Sequence, residues 1–143
     1  VEHRGQVVKA MAVIRRPADG ALLVSEAASP DGSLFQRPLG GHVEFGEYAA
    51  DTLGREFTEE IGQPLTGVRL LGVVENMFDW GGAPQHEIVF VFAAAFADPA
   101  AYQISEQPIR DDAGRARVIW RPAGAVSPPL YPNQVADLIT AAS

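Results

Sequence analysis

Residues 41–62 read GHVEFGEYAADTLGREFTEEIG. Five glutamates, Glu44, Glu47, Glu56, Glu59 and Glu60, crowd around one arginine, Arg55. From residue 48 to residue 61 apolar side chains recur at helical spacing. At 100° per residue, Ala50, Leu53, Gly54, Phe57 and Ile61 fall on one side. Glu56, Glu59 and Glu60 fall within about 100° of one another on an adjacent side, and Gly62 is a natural helix stop. The spacing predicts an amphipathic helix with an anionic edge. Like charges three or four residues apart destabilise an isolated helix by about 0.2–0.5 kcal/mol per pair. Two partners would relieve that repulsion: solvent around an acidic face, or a divalent cation. Hard cations such as Mg²⁺ favour carboxylate oxygens and keep positions open for water and substrate phosphates.

Working outward, residues 6–16 and 21–26 read as strands separated by a turn at 17–20. Residues 33–36 suggest a short strand, and 42–45 a brief extended piece before the helix. Beyond it, 68–78 and 87–96 bracket a turn-like connection at 79–84, which predicts an antiparallel hairpin. The second of these runs is apolar after its first residue, as expected of a strand buried on both faces. Residues 98–114 read as polar loop, 117–121 as a last strand and 133–142 as a closing helix. No repeat or linker interrupts residues 1–143, which read as one α/β domain with a mixed sheet.

A hydrophobic content of 47% and a charged content of 20% are ordinary for a soluble globular chain. The net charge of −7, with 11 scattered Lys and Arg, argues against binding a nucleic acid polymer. Cysteine is absent, which excludes disulfides, Cys–zinc sites and thiol chemistry. No run reaches the ~18 apolar residues of a membrane span, and VEHRGQVVKA lacks a signal-peptide pattern. A cytoplasmic location without membrane contact is the expectation.

The spacing from Gly41 through Glu47, Arg55, Glu56, Phe57, Glu59 and Glu60 to Gly62 resembles the Nudix hydrolase signature, Gly-x5-Glu-x7-Arg-Glu-U-x-Glu-Glu-x-Gly-U, where U is bulky and aliphatic. Phe57 and Gln63 depart from the two U positions, but every charged position is intact. The preceding RPLGG (37–41) is similar to the glycine-rich approach to that motif. The resemblance covers most of the chain and implies a MutT-like, Nudix-type α/β/α sandwich. It also implies Mg²⁺- or Mn²⁺-dependent hydrolysis of a diphosphate, typically a nucleoside diphosphate linked to another moiety. By the same resemblance, Glu56 and Glu60 are the principal metal ligands and the carbonyl of Gly40 completes the coordination. Glu59 is a further ligand or orients the attacking water, and is the first choice of general base. Arg55 joins the catalytic glutamates through an ion pair with Glu47 that holds the loop on the helix.

Residues outside the signature carry weaker signals. Arg37 suits bidentate phosphate binding or a surface role. His42 suits a phosphate contact or simple exposure. Trp80 suits base stacking, helped by Phe78, or a cap on the core, and Tyr131 suits the pocket or the sheet. Glu87 opens an apolar strand beside His86 and suits either the site or solvent. Glu106, Asp111 and Asp112 are outlying general-base candidates, and Trp120 reads as core. The expected partner is a small phosphorylated molecule, and a homodimer is compatible with the pattern. The rival reading is a non-catalytic nucleotide or sugar-phosphate binding module, in which eroded glutamates would be expected.

Overall fold

Residues 5–109 and 116–141 are described by a computed structural model. Three strands precede the first helix: β1 (Val7–Val13), β2 (Leu22–Ala28) and β3 (Leu34–His42). Helix α1 (Ala49–Ile61) is followed by the long strands β4 (Leu65–Trp80) and β5 (Ala83–Phe96). The chain ends with short strands β6 (Gln107–Pro108) and β7 (Arg117–Arg121) and helix α2 (Gln134–Ala141). The strands form one sheet in the order β4-β5-β1-β3-β2-β7-β6. β1 runs parallel to β5, and the other strand pairings among the described residues are antiparallel.

Alternation along β1 divides the core into two layers. Ala10, Ala12 and Ile14 pack with Leu53, Phe57 and Ile61 of α1, whereas Met11 and Val13 pack with Val135 and Ile139 of α2. β5 follows the same rule, with Phe92 and Phe96 toward α1 and Val89 and Val91 toward α2. Its unbroken apolar run is thus explained by burial on both faces. The result is an α/β/α sandwich with a mixed sheet.

β3 departs from the expected pair of short pieces and runs unbroken through Pro38, Gly40 and Gly41. Pro and Gly are poor strand formers, but here the strand changes neighbours. Residues 34–38 pair with β2, and residues 39–42 pair with β1. A Cβ on Gly40 would lie 1.8 Å from the Ala10 carbonyl oxygen, so only glycine fits at this close approach. The expected turn at 79–84 contracts to Gly81 and Gly82, with φ of 58° and 85°. Positive φ at both central residues suits the twist of a two-residue hairpin, and Trp80 is thereby held on a strand end. The polar segment after β5 is not all loop. It contains a short 3-10 helix, Pro99–Gln103, whose start is capped by Asp98 accepting from the Ala100 N–H, and then β6. Asp111, Asp112 and Ala142, included in the expected loop and closing helix, lie outside the described residues.

The buried side of α1 is Thr52, Leu53, Phe57 and Ile61; Ala50 and Gly54 are exposed instead. Thr52 is tolerated in the core because its hydroxyl donates to Glu47 Oε1 at 2.7 Å. The helix ends as expected at Gly62, in the left-handed region with φ 69°, its N–H donating to Thr58 O while Gln63 N–H reaches Phe57 O. No helix among the described residues is long and apolar enough to cross a membrane.

These placements make opposite predictions for two helix positions. Gly54 has open space where an added methyl would stand and no left-handed φ, so Gly54→Ala should raise stability by about 0.5–1 kcal/mol. Phe57 is fully buried against Phe96, so Phe57→Ala should cost about 3–5 kcal/mol. Denaturant melts of both variants check the pair; a destabilised Gly54→Ala would refute the helix orientation.

Candidate active site

Glu47 sits in the loop before α1, eight residues ahead of Arg55, and the two meet in a bidentate pair. Arg55 donates from Nε to Glu47 Oε2 at 2.8 Å and from Nη2 to Oε1 at 3.0 Å. Nη2 also donates to the His42 carbonyl at 3.0 Å, which ties the end of β3 to the helix. Glu47 Oε1 accepts further bonds from Thr52 Oγ1 and the Glu44 N–H. The Arg55 guanidinium, followed by these two donors, lowers the Glu47 carboxyl from 4.5 to about 2. Arg55 is raised in turn, chiefly by Glu47.

The remaining nitrogen, Nη1, lies 2.9 Å from Glu56 Oε1 and 3.4 Å from Glu59 Oε2. Glu56 and Glu59 therefore converge on Arg55, which offsets part of their mutual repulsion. Glu59 is half-exposed and Glu56 largely covered, at 47% and 15% side-chain exposure. Glu56 is covered by glycine backbone: a Cβ on Gly41 would fall 2.3 Å from its carboxyl carbon. Glu60, one turn further along, lines a small cavity of about 120 Å³ together with Gly40, Gly41, Lys9 and Arg37. No three His, Asp or Glu side chains among the described residues gather into a group that could hold a metal by themselves. Glu56, packed against Gly41, and Glu60, beside Gly40, nevertheless bring carboxylate oxygens to the same pair of glycines. That set fits Mg²⁺, which is commonly held by one or two carboxylates with waters and substrate phosphates completing its shell.

A second constellation surrounds Glu87, which is buried despite its charge. The β4–β5 register sets Asn76 directly opposite it, and parallel pairing brings β1 alongside. Lys9 Nζ lies 2.8 Å from Glu87 Oε2, Arg37 Nη2 donates to Oε1 at 2.9 Å, and Asn76 Nδ2 donates to the same oxygen at 3.2 Å. Burial pushes the Glu87 carboxyl upward, but Arg37 and Lys9 outweigh it, and the net direction is down. Lys9 is pulled down by burial and then by Arg37, against the opposing effect of Glu87. These residues form the polar floor of a larger cavity of about 580 Å³. Phe35, Phe78, Trp80 and Tyr131 supply its aromatic wall, with Phe35 5.7 Å from Trp80 and 6.1 Å from Tyr131 between ring centroids. His42 also lines it, its imidazole pKa lowered first by partial burial and then by Lys9.

The structure thus gathers Arg37, His42, Trp80 and Glu87 at one cavity and Gly40, Gly41 and Glu60 at another, with Arg37 common to both. Glu106 is elsewhere engaged, by the exposed Arg117. Trp120 donates its indole N–H to Ile104 O and packs against Tyr102. Sequence reading missed Lys9, Asn76 and Phe35. Lys9 had a visible signal, the chain's one lysine set in an apolar strand; Asn76 had none, because its role comes from cross-strand register.

The mixed-sheet sandwich and glutamate-edged helix define a protein of the Nudix type. The family model described as NUDIX domain matches residues 5–139. The chain belongs to the Nudix family of hydrolases. Among solved structures, a MutT NUDIX hydrolase from Burkholderia pseudomallei superposes with a TM-score of 0.68 at 24% identity, covering 95% of this chain and 98% of that one. A UDP-X diphosphatase gives 0.65 at 15% identity, covering 98% of this chain and 64% of that one. An ADP-ribose pyrophosphatase from Streptococcus suis gives 0.60 at 14% identity, covering 96% and 92%. At these identities the likeness is one of fold.

The Glu47 pair makes a pH prediction. A carboxyl lowered on folding adds stability above its unfolded value and loses it as pH falls toward its folded value. The wild type should therefore lose stability between pH 4.5 and about 2. Glu47→Gln should be less stable at neutral pH yet fall less steeply across that window. Parallel curves of Tm against pH would show that the pair is not the source.

Proposed function

We propose that this chain is a Mg²⁺- or Mn²⁺-dependent pyrophosphohydrolase acting on a nucleoside diphosphate linked to another moiety. The observation that carries the reading is that two cavities share Lys9 and Arg37 in their lining. One cavity borders the oxygen donors of the signature, and the other is large enough, at about 580 Å³, for a nucleoside-sized group. Glu56, Glu60 and the Gly40 carbonyl would hold the cation. When bound, Mg²⁺ would neutralise charge on the pyrophosphate and make a bound water more acidic.

Each remaining role falls to the chain itself. Glu59 is exposed enough to exchange protons with solvent, and takes the proton of the attacking water as the P–O–P bond breaks and the leaving phosphate departs. Arg55 positions Glu56 and Glu59 by holding one oxygen of each, its grip on Glu47 fastens the loop before α1, and its bond to the His42 carbonyl keeps the glycine strand against the helix. The names of two fold relatives, a UDP-X diphosphatase and an ADP-ribose pyrophosphatase, are in keeping with a nucleotide-linked diphosphate. A net charge of −7 with scattered cations argues against a nucleic acid polymer as the substrate.

The test is a hydrolysis screen with Mg²⁺ over nucleoside triphosphates, ADP-ribose, nucleotide sugars, dinucleoside polyphosphates and capped RNA, with products identified by mass. At least one class should be cleaved. Glu56→Gln and Glu60→Gln should each lower kcat/KM by more than the roughly 10–100-fold that losing an outer-shell metal partner costs, with Tm little changed. Nucleotide binding without phosphate release anywhere in the screen would favour the binding-module reading instead.

A further inference from the structure

The Glu87 cluster holds more positive charge than its own packing needs. Lys9 and Arg37 lie against a single buried carboxylate, and their proximity raises the cost of keeping both charged in a desolvated place. Glu87 occupies one donor of each, whereas an ammonium carries three N–H groups and a guanidinium five. Arg37 Nε is buried without a hydrogen-bond partner. A purely structural ion pair would be complete with one cation per carboxylate. The surplus positive charge stands where the aromatic cavity meets the small cavity beside Glu60 and the glycines, since Lys9 and Arg37 line both.

We infer that Lys9 and Arg37, held in place by Glu87, form an anion seat for the phosphate that links the cleaved anhydride to a nucleoside lying in the aromatic cavity. The inference rests on the proposed pyrophosphohydrolase reading and adds to it a recognition element outside the signature. An arriving phosphate supplies the negative charge that Glu87 alone does not. Trp80 and Tyr131, at 42% and 40% exposure, leave ring surface open on which a planar base can stack. Glu87 is a positioning residue in this scheme. It orients the two cations from β5 without touching the ligand, and Asn76 holds the same carboxylate oxygen from β4.

The test measures binding of nucleoside 5′-monophosphates and the matching nucleosides, four bases each, by calorimetry in EDTA, so that no cation and no turnover contribute. For at least one base the monophosphate should bind at least about tenfold more tightly than its nucleoside, roughly the worth of one charge-assisted hydrogen bond. Lys9→Met leaves the Arg37–Glu87–Asn76 bonds in place and should reduce that ratio toward one. Arg37→Lys keeps the charge but loses the fork, and should reduce it in part. In the wild type, needing no variant, the Arg37 and Asn76 side-chain NMR signals should shift with the monophosphate and not with the nucleoside. A wild-type ratio near one, an unchanged ratio in Lys9→Met, or unmoved Arg37 signals would each overturn the seat. Phosphate selectivity with no hydrolysis in the Mg²⁺ screen would sustain the seat while removing the enzyme reading. Hydrolysis without selectivity in EDTA would remove the seat alone.

Discussion

All three guanidinium nitrogens of Arg55 are engaged, and each engagement holds a different part of the site. Nε and Nη2 grip Glu47 and so fasten the loop before α1 onto the helix. Nη2 also takes the His42 carbonyl, which fixes the end of β3. Nη1 meets Glu56 and Glu59. A lysine could not do this, because an ammonium lacks the planar fork that matches a carboxylate while reaching two further partners. The glutamate-rich helix is tolerated because this one cation sits among its carboxylates, and a bound divalent ion would add to that compensation.

The second constraint is steric. Gly40 and Gly41 let β3 approach the Ala10 carbonyl on one side and the Glu56 carboxylate on the other. A side chain at Gly40 would collide with the backbone of β1, and one at Gly41 would displace the Glu56 carboxylate. The same crossing places Arg37, three residues earlier, against Glu87 of β5. Acidic and basic halves of the site are therefore coupled through one strand. Glu60 of α1 shares the small cavity beside the glycines with Lys9 and Arg37, and those two cations in turn reach Glu87.

Some of this was legible in residue order alone. The gaps from Gly41 to Gly62 specify which carboxylates share a helix edge, because helical geometry turns spacing directly into direction. The apolar run of β5 announced burial on both faces. The misreadings share a cause. Thr52 was absent from the expected buried side of α1, yet a loop glutamate satisfies its hydroxyl; residues 37–41 fell between two expected extended pieces, yet they carry the change of strand partner. Local propensity cannot register a partner that lies far away in the chain.

By itself, the sequence determined the helix, its stop at Gly62, the order of glutamates along its edge and the hairpin that follows, since all of these depend on neighbours within a few turns. Only the tertiary structure decided that Glu87 is buried between Lys9, Arg37 and Asn76, and that Phe35, Trp80 and Tyr131 share a wall. Those contacts join four strands and a late loop whose register is set by the whole sheet. Glu87 shows the difference most clearly. As a letter at the head of an apolar run it could face solvent or the site, and its direction was chosen by two cations from strands 50 and more residues away.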